Sequence, residues 1–169
     1  MLKAFKDQLR VLSIDPKDQF HMFIRKRVGK KATQILEKKL KKLILLTPGL
    51  VSRIYSVWSG LKAPLEIKRA SGFLLTYMYH PKDFLAEDSL GLFGYLDDAY
   101  LVATVYERLI DELNERGLGA TQDDERMASE IRSLKKSAKL VIRPEAEKIE
   151  KMVAEILEGK RETFNAIFN

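Results

Sequence analysis

Apolar side chains recur every three or four residues along most of this 169-residue chain, a spacing that places them on one face of an α-helix. The strict apolar and polar alternation of a half-buried strand is hard to find, and the Asn-Gly and Asp-Gly pairs that close β-hairpins are absent. The sequence therefore predicts an all-α protein, folded as a compact bundle of about six helices.

Prolines and glycines predict where several of these helices begin and end. Asp15-Pro16 and Thr47-Pro48 each place a capping residue directly before a proline, so each predicts a helix start. The apolar stripes on the two sides of Gly29 differ in direction by roughly 140° on a helical wheel. A break or bend in the chain is therefore expected near Gly29.

The middle of the chain predicts a central helical hairpin. Its first helix is expected over about 64–80, where Pro81 disfavours helical angles in the residue before it. Its second helix, the most apolar of the chain, is expected over about 96–116, with Gly117 placed for a left-handed cap. No long linker or repeat divides the sequence, so residues 1–169 are expected to form one domain, with further helices over 121–169.

Cysteine is absent, which excludes disulfides, thiolate nucleophiles and cysteine-ligated metal centres. No apolar run approaches the roughly 20 residues of a membrane span, and charged residues interrupt the start too early for a signal peptide. A bacterial, cytoplasmic protein is expected, and attachment to the membrane periphery is left open.

Positive and negative charges are unevenly divided along the chain. Residues 1–62 contain 15 Lys and Arg against 4 Asp and Glu, residues 63–125 contain 5 against 13, and residues 126–169 contain 10 against 7. The basic first part, 1–62, predicts either an anionic partner or attraction to the acidic second part, 63–125, within the fold. The most acidic helices are expected in the hairpin region, 63–117.

Lysines of the first part share one face of a predicted helix, within roughly 120° of arc and opposite an apolar face that includes Ile35, Leu36 and Leu40. With neighbouring cations they form the candidate anion-binding site, which comprises Arg25, Lys26, Arg27, Lys30, Lys31, Lys38, Lys41 and Lys42.

Such a face attracts the phosphates of nucleic acid or of anionic lipid, or an acidic protein. The alternative is a solvated face whose lysines cover apolar surface and pair with the acidic helices. Phe20, Phe23 and Trp58 stand at core spacing, so readout of nucleic acid by stacking aromatic rings is not expected.

The segment from Tyr77 to Ala99 contains the densest group of potential metal ligands. Carboxylates and imidazole suit divalent cations, although aspartates at helix starts also serve as ordinary caps. On the wheel Asp97 falls on the polar side of its helix, whereas Asp98 falls among apolar residues and needs a partner. The candidate metal ligands are His80, Asp83, Glu87, Asp97 and Asp98.

The same segment carries a recognisable pattern. Tyr-x-x-x-Pro-x-Asp begins at Tyr77, and Leu-x-x-x-Gly-Tyr-Leu-Asp-Asp-Ala ends at Ala99. From Tyr77 to about Leu109 the chain resembles the YkvA-like family, a bacterial helical domain of unknown function. The resemblance implies a helical hairpin with Asp83, Glu87, Asp97 and Asp98 as the positions of interest, and it implies no established activity.

Motifs of several enzyme classes are absent, including glycine-rich phosphate loops, nucleophile elbows and spaced Ser, His and Asp sets. The preferred expectation is a non-catalytic helical binding module without a cofactor, whose basic face engages an anionic surface or an acidic partner. The alternative is a hydrolase dependent on a divalent metal ion bound by the acidic cluster. The aromatic tail, 164–168, and the helix after Tyr95 offer surface for self-association.

Overall fold

In the computed structural model, residues 2–59, 63–78 and 84–160 are described, without the side chains of Trp58, Glu87 and Asp88. Every regular element in these ranges is helical, and no strand occurs among them, which confirms the all-α prediction. None of the helices in these ranges combines the length and apolar character needed to cross a membrane. The helix stop predicted at Pro81 and the tail 164–168 lie outside the described residues.

Seven helices of nine residues or more pack together in the described part of the chain, where the sequence predicted about six. The sequence patterns predicted no helix before Asp15, whereas the structure has its first helix there. In chain order the elements are α1 (Leu2–Ile14), α2 (Phe20–Val28), α3 (Lys30–Trp58), α4 (Leu65–Met78), α5 (Glu87–Leu90), a 3₁₀ helix (Gly91–Tyr95), α6 (Leu96–Glu115), α7 (Gln122–Val141) and α8 (Arg143–Leu157).

Helix α6 lies at the centre of the fold. Fourteen of its 20 residues are buried, so it presents apolar surface to several neighbours at once. It packs against α3, α4, α7 and α8, and its contact with α3 is the most extensive. The helices of the predicted hairpin, α4 and α6, are therefore in contact, although α6 makes larger contacts elsewhere.

Glycines and capping residues set several boundaries where local sequence predicts them. Gly29 separates α2 from α3 with φ 81° and ψ 171°, a backbone conformation that favours glycine. Gly117 follows α6 with φ 62°, and the next amide, of Leu118, donates to the Leu113 carbonyl at 2.8 Å. Thr121 caps α7 with its side chain, which accepts the amide of Asp124.

The helix start predicted at Thr47-Pro48 is wrong, because α3 continues through Pro48. A proline inside a helix removes one backbone donor and normally breaks the helix. Here the helix is buried on both sides of the proline, at Ile44 and Val51. The Thr47 hydroxyl also donates to the Leu43 carbonyl at 3.3 Å. Packing therefore outweighs the local preference.

The helix start predicted at Asp15-Pro16 is also displaced, since α2 begins at Phe20. Asp15 instead accepts the amide of Lys17 at 2.8 Å and stabilises a turn between α1 and α2. Gln19 is the N-cap residue and makes no side-chain capping bond, but Asp18 supports the start of α2, because one of its carboxylate oxygens accepts the amide of Phe20 at 2.8 Å. Its other oxygen accepts the amide of Leu92 at 2.9 Å and ties α2 to the 3₁₀ helix.

Asp124 joins three helices through one carboxylate. It completes the capping box of α7 by accepting the amide of Thr121 at 3.0 Å. Arg53 of α3 donates two bonds to it, at 2.9 and 2.6 Å, and the Tyr106 hydroxyl of α6 donates a third at 3.1 Å. The hydrogen bonds from Arg53 hold the pKa of Asp124 well below its usual range. Burial, together with Asp124, raises the pKa of Tyr106.

Replacing Asp124 by alanine should lower the free energy of unfolding by about 3 kcal/mol, because it removes the carboxylate half of the capping box and leaves Arg53 and Tyr106 without their acceptor. Urea denaturation measures this loss. Asp123 is the matched control, since it lies in the same helical turn but its side chain is 92% exposed. Asp123→Ala should change the stability by no more than about 0.5 kcal/mol. Equal losses in the two variants would contradict the role given to Asp124.

The low pKa of Asp124 also predicts a specific dependence of stability on pH. A carboxyl whose pKa is lower in the folded than in the unfolded state stabilises the fold above its unfolded pKa of about 4. That contribution is lost as the pH falls toward the folded pKa. The stability difference between the wild type and Asp124→Asn should therefore be constant above about pH 5 and shrink steadily below about pH 4. A difference that is independent of pH would rule out this linkage.

Candidate functional site

The exposed side of α3 carries a row of side chains at spacings of four, three, four and three residues. The row comprises Lys31, Ile35, Lys38, Lys42 and Leu45, and we call it the basic face. These positions fall within roughly 80° of arc on a helical wheel. Three ammonium groups and two aliphatic side chains therefore share one strip of solvent-facing surface.

Three of the eight predicted cations form ion pairs within the fold. None of their partners belongs to the acidic part 63–125, since Glu37 lies on α3 itself and Glu145 and Glu130 lie on α8 and α7. The two parts do meet at Arg53, which pairs with Asp124. The pairs are Arg27 with Glu145, Lys41 with Glu37, and Lys42 with Glu130.

The acids of α6 are neutralised by α7 instead. Glu107 accepts from Lys135 at 2.7 Å and from Arg132 at 3.1 Å, and Asp111 accepts from Arg132 at 2.6 Å. Burial opposes the charge on Glu107, but the bonds from Lys135 and Arg132 outweigh it and hold its pKa below the usual value. In these ion pairs, the basic lysines of α3 take no part in balancing the acidic helix.

The other five predicted cations have no ion-pair partner within the described ranges, and all five are exposed. Lys26 stacks its ammonium group over the Phe23 ring, 5.7 Å from the centroid, on its own helix. The ammonium groups of α3 are therefore available to an external anion. The five are Arg25, Lys26, Lys30, Lys31 and Lys38.

The predicted apolar face of α3 is wrong at one position. Ile35 was expected in the core, but 67% of it is exposed, whereas Leu36 and Leu40 are buried as predicted. The wheel explains the difference, because Ile35 lies only about 40° from Lys31 and about 100° from Leu36. Leu45, further along the basic face, is 38% exposed. Sequence reasoning missed both aliphatic members, although the angular position of Ile35 would have revealed it.

Asp97 was expected on the polar side of α6, and this prediction is wrong because Asp97 is fully buried. The bend after residue 83 covers the first turn of α6, and the Leu85 amide donates to Asp97 at 3.1 Å. Asp98 is buried, as its place among apolar residues predicted, with 5% of its surface exposed. Asp97 thus anchors a neighbouring segment, while Asp98 faces the space between α1, α3 and α4.

The side chains of the other predicted metal ligands are not among the described parts of the structure. His80 and Asp83 lie outside the described residues, and Glu87 begins α5 with a side chain that is not described. Among the residues that are described, no group of three acidic or histidine side chains is arranged to hold a metal ion. The metal-dependent hydrolase stays a prediction from sequence.

The aromatic residues near the basic face belong to the core, as predicted for Phe20 and Phe23. Phe20 is buried and meets the Phe93 ring edge-on at 5.9 Å between centroids, while the half-buried Phe23 lies 5.4 Å from the same ring. The Trp58 side chain lies outside the described residues. Phe20 and Phe23 are therefore engaged with Phe93 rather than presented to solvent for stacking on bases.

Asp97→Ala should lower the free energy of unfolding by about 2 kcal/mol, because the buried Leu85 amide loses its side-chain acceptor. Faster hydrogen exchange at the Leu85 amide would locate the effect. Glu112 is the control, since its ion pair with Arg116 at 2.8 Å spans one exposed helical turn. Glu112→Ala should change stability by no more than about 0.5 kcal/mol. Unchanged exchange at Leu85 in Asp97→Ala would contradict the anchoring role.

Comparisons with known proteins give no relative: no family model, no curated protein and no solved structure matches this chain. The resemblance to the YkvA-like family, carried by residues 77–109, stays a prediction.

Proposed function

We propose that the protein is a non-catalytic binding module whose basic face attaches it to an anionic membrane surface. The observation that carries the proposal is the composition of the basic face, in which Ile35 and Leu45 are exposed alongside Lys31, Lys38 and Lys42. Helices that lie in the lipid interface combine apolar side chains with cations in this way.

The lysines supply attraction to the phosphates of anionic lipids. Lys31 and Lys38 are exposed and have no ion-pair partner in the described part of the chain. A lysine near a charged bilayer contributes about 1 kcal/mol to binding. Their long aliphatic stems allow the ammonium groups to reach phosphates while the helix lies at the interface.

The aliphatic residues favour a bilayer over nucleic acid. Ile35, 67% exposed, would enter the boundary between head groups and acyl chains, where burial of its side chain is favourable. The phosphate backbone of a nucleic acid duplex attracts cations. It provides no apolar region in which an exposed isoleucine could be buried. Phe20 and Phe23 pack on Phe93 rather than project as stacking platforms.

The double variant Lys31→Gln/Lys38→Gln should bind vesicles of phosphatidylcholine and phosphatidylserine roughly 30-fold more weakly than the wild type, since two lysines contribute about 2 kcal/mol. Co-sedimentation measures the binding, which should also weaken between about 0.05 M and about 0.5 M salt. The matched control, Lys151→Gln/Lys160→Gln, removes two exposed charges from α8 and the residues after it. An equal loss in the control would assign binding to net charge and overturn the assignment to the basic face.

Replacing Ile35 by serine should weaken vesicle binding by about tenfold, because about 1.5 kcal/mol of apolar burial is lost at the interface. Leu65→Ser is the control, since Leu65 is exposed on another helix, α4, and is not part of the basic face. The lipid proposal fails if Ile35→Ser binds vesicles as tightly as the wild type and the wild type binds duplex DNA with the salt dependence expected for vesicles. The partner would then be nucleic acid.

A further inference from the structure

A cavity of about 570 Å³ opens where α1, α3, α4 and the start of α6 meet. Its volume lies within the range of sites that hold small molecules, and most of its lining is apolar. The lining includes three aromatic rings and one carboxylate, namely Phe5, Tyr55, Tyr95 and Asp98. The cavity is separate from the basic face, which shares none of its lining residues.

The carboxylate and one ring lie deep in the cavity. Asp98 and Tyr95 are each 5% exposed, whereas Tyr55 is 52% exposed and stands at the rim. The Tyr95 ring lies 6.0 Å from the Phe5 ring of α1, centroid to centroid, and its hydroxyl accepts a bond from the Gln8 amide nitrogen at 2.7 Å. The inner ring is thus held in place by α1.

The combination of groups indicates which kind of ligand is complementary to the cavity. Aromatic faces attract organic cations, and the oxygen atoms of a carboxyl group beside them favour a positively charged ligand. The surrounding aliphatic side chains, among them Val51 and Met78, suit a hydrocarbon substituent. We infer that this cavity binds an organic ammonium ion that carries an apolar chain or ring, with the cation at Asp98 and the rings.

The position of Asp98 in the fold agrees with this role. It stands in the first turn of α6, where the positive end of the helix dipole favours a negative side chain. A carboxylate offers about four acceptor sites, so a bond within the protein leaves capacity for a ligand. Asp97, the preceding residue, bonds the Leu85 amide and does not line the cavity.

Helix α1 forms one wall of the cavity and packs mainly on α3. Leu9 is its one fully buried residue among positions 2–14, and Gln8 links it to Tyr95. A ligand that fills the cavity touches Phe5 and the neighbouring α1 side chains that line this wall. Binding should therefore slow hydrogen exchange of α1 amides, an effect that a surface-bound ion would not produce.

The experiment compares three hexyl probes: hexyltrimethylammonium, 1-hexanol and hexanesulfonate. Titration calorimetry and amide chemical shifts of the full chain report affinity and location. The cation should bind at least about tenfold more tightly than the other two probes, with shifts at Gln8, Tyr95 and Asp98. Equal affinity for hexanol and the cation would overturn the inference, as would the absence of shifts at millimolar concentrations of the cation.

Variants test the two recognition elements separately. Asp98→Asn should reduce the affinity for hexyltrimethylammonium at least about tenfold and leave the affinity for hexanol unchanged. Asp7 lies on the exposed side of α1, so the control Asp7→Asn should change neither affinity. If Asp98→Asn does not fold, the rim residue decides: Tyr55→Phe should retain the affinity, and Tyr55→Ala should weaken it about threefold or more. Unchanged binding in Tyr55→Ala would contradict a cation held among the rings.

Discussion

The burial of α6 on several sides is the constraint on which the rest of the structure depends. A helix with 14 buried residues out of 20 requires an apolar face from each neighbour, and α3, α4, α7 and α8 provide them. Two of its acids, Glu107 and Asp111, lie at the edge that meets α7, where Arg132 and Lys135 neutralise them. The lysines on the outer side of α3 are thereby left for other partners.

Local sequence signals predicted the parts of the fold that local energies decide. Gly29 and Gly117 take backbone conformations that glycine adopts at least cost, and Thr121 caps α7 through a contact three residues away. Pro48 and Asp97 behave otherwise, because distant segments determine their environment. The core around α6 keeps α3 helical at Pro48, and the bend at Leu85 covers Asp97. Neither contact is encoded in the residues nearby.

The candidate site follows the same division. The cations of the basic face could be predicted from helical spacing, since exposure of one side of α3 follows from burial of the other. The ion pairs of Lys42 and Arg27 could not, because Glu130 and Glu145 lie about a hundred residues away in sequence. The cavity was equally hidden, since its aromatic rings come from α1, α3 and the 3₁₀ helix.

One helix carries both proposed sites, and Pro48 lies between them. Leu45, the last member of the basic face, precedes the proline, and Val51, on the cavity wall, follows it. A proline in a helix interior is unfavourable by about 3 kcal/mol, so tertiary packing rather than local propensity keeps this stretch of α3 continuous. The rigidity of α3 between the two sites therefore depends on the core against which this stretch of the helix packs. Loosening of that core would favour a break at Pro48, and each site would then move with its own half of α3.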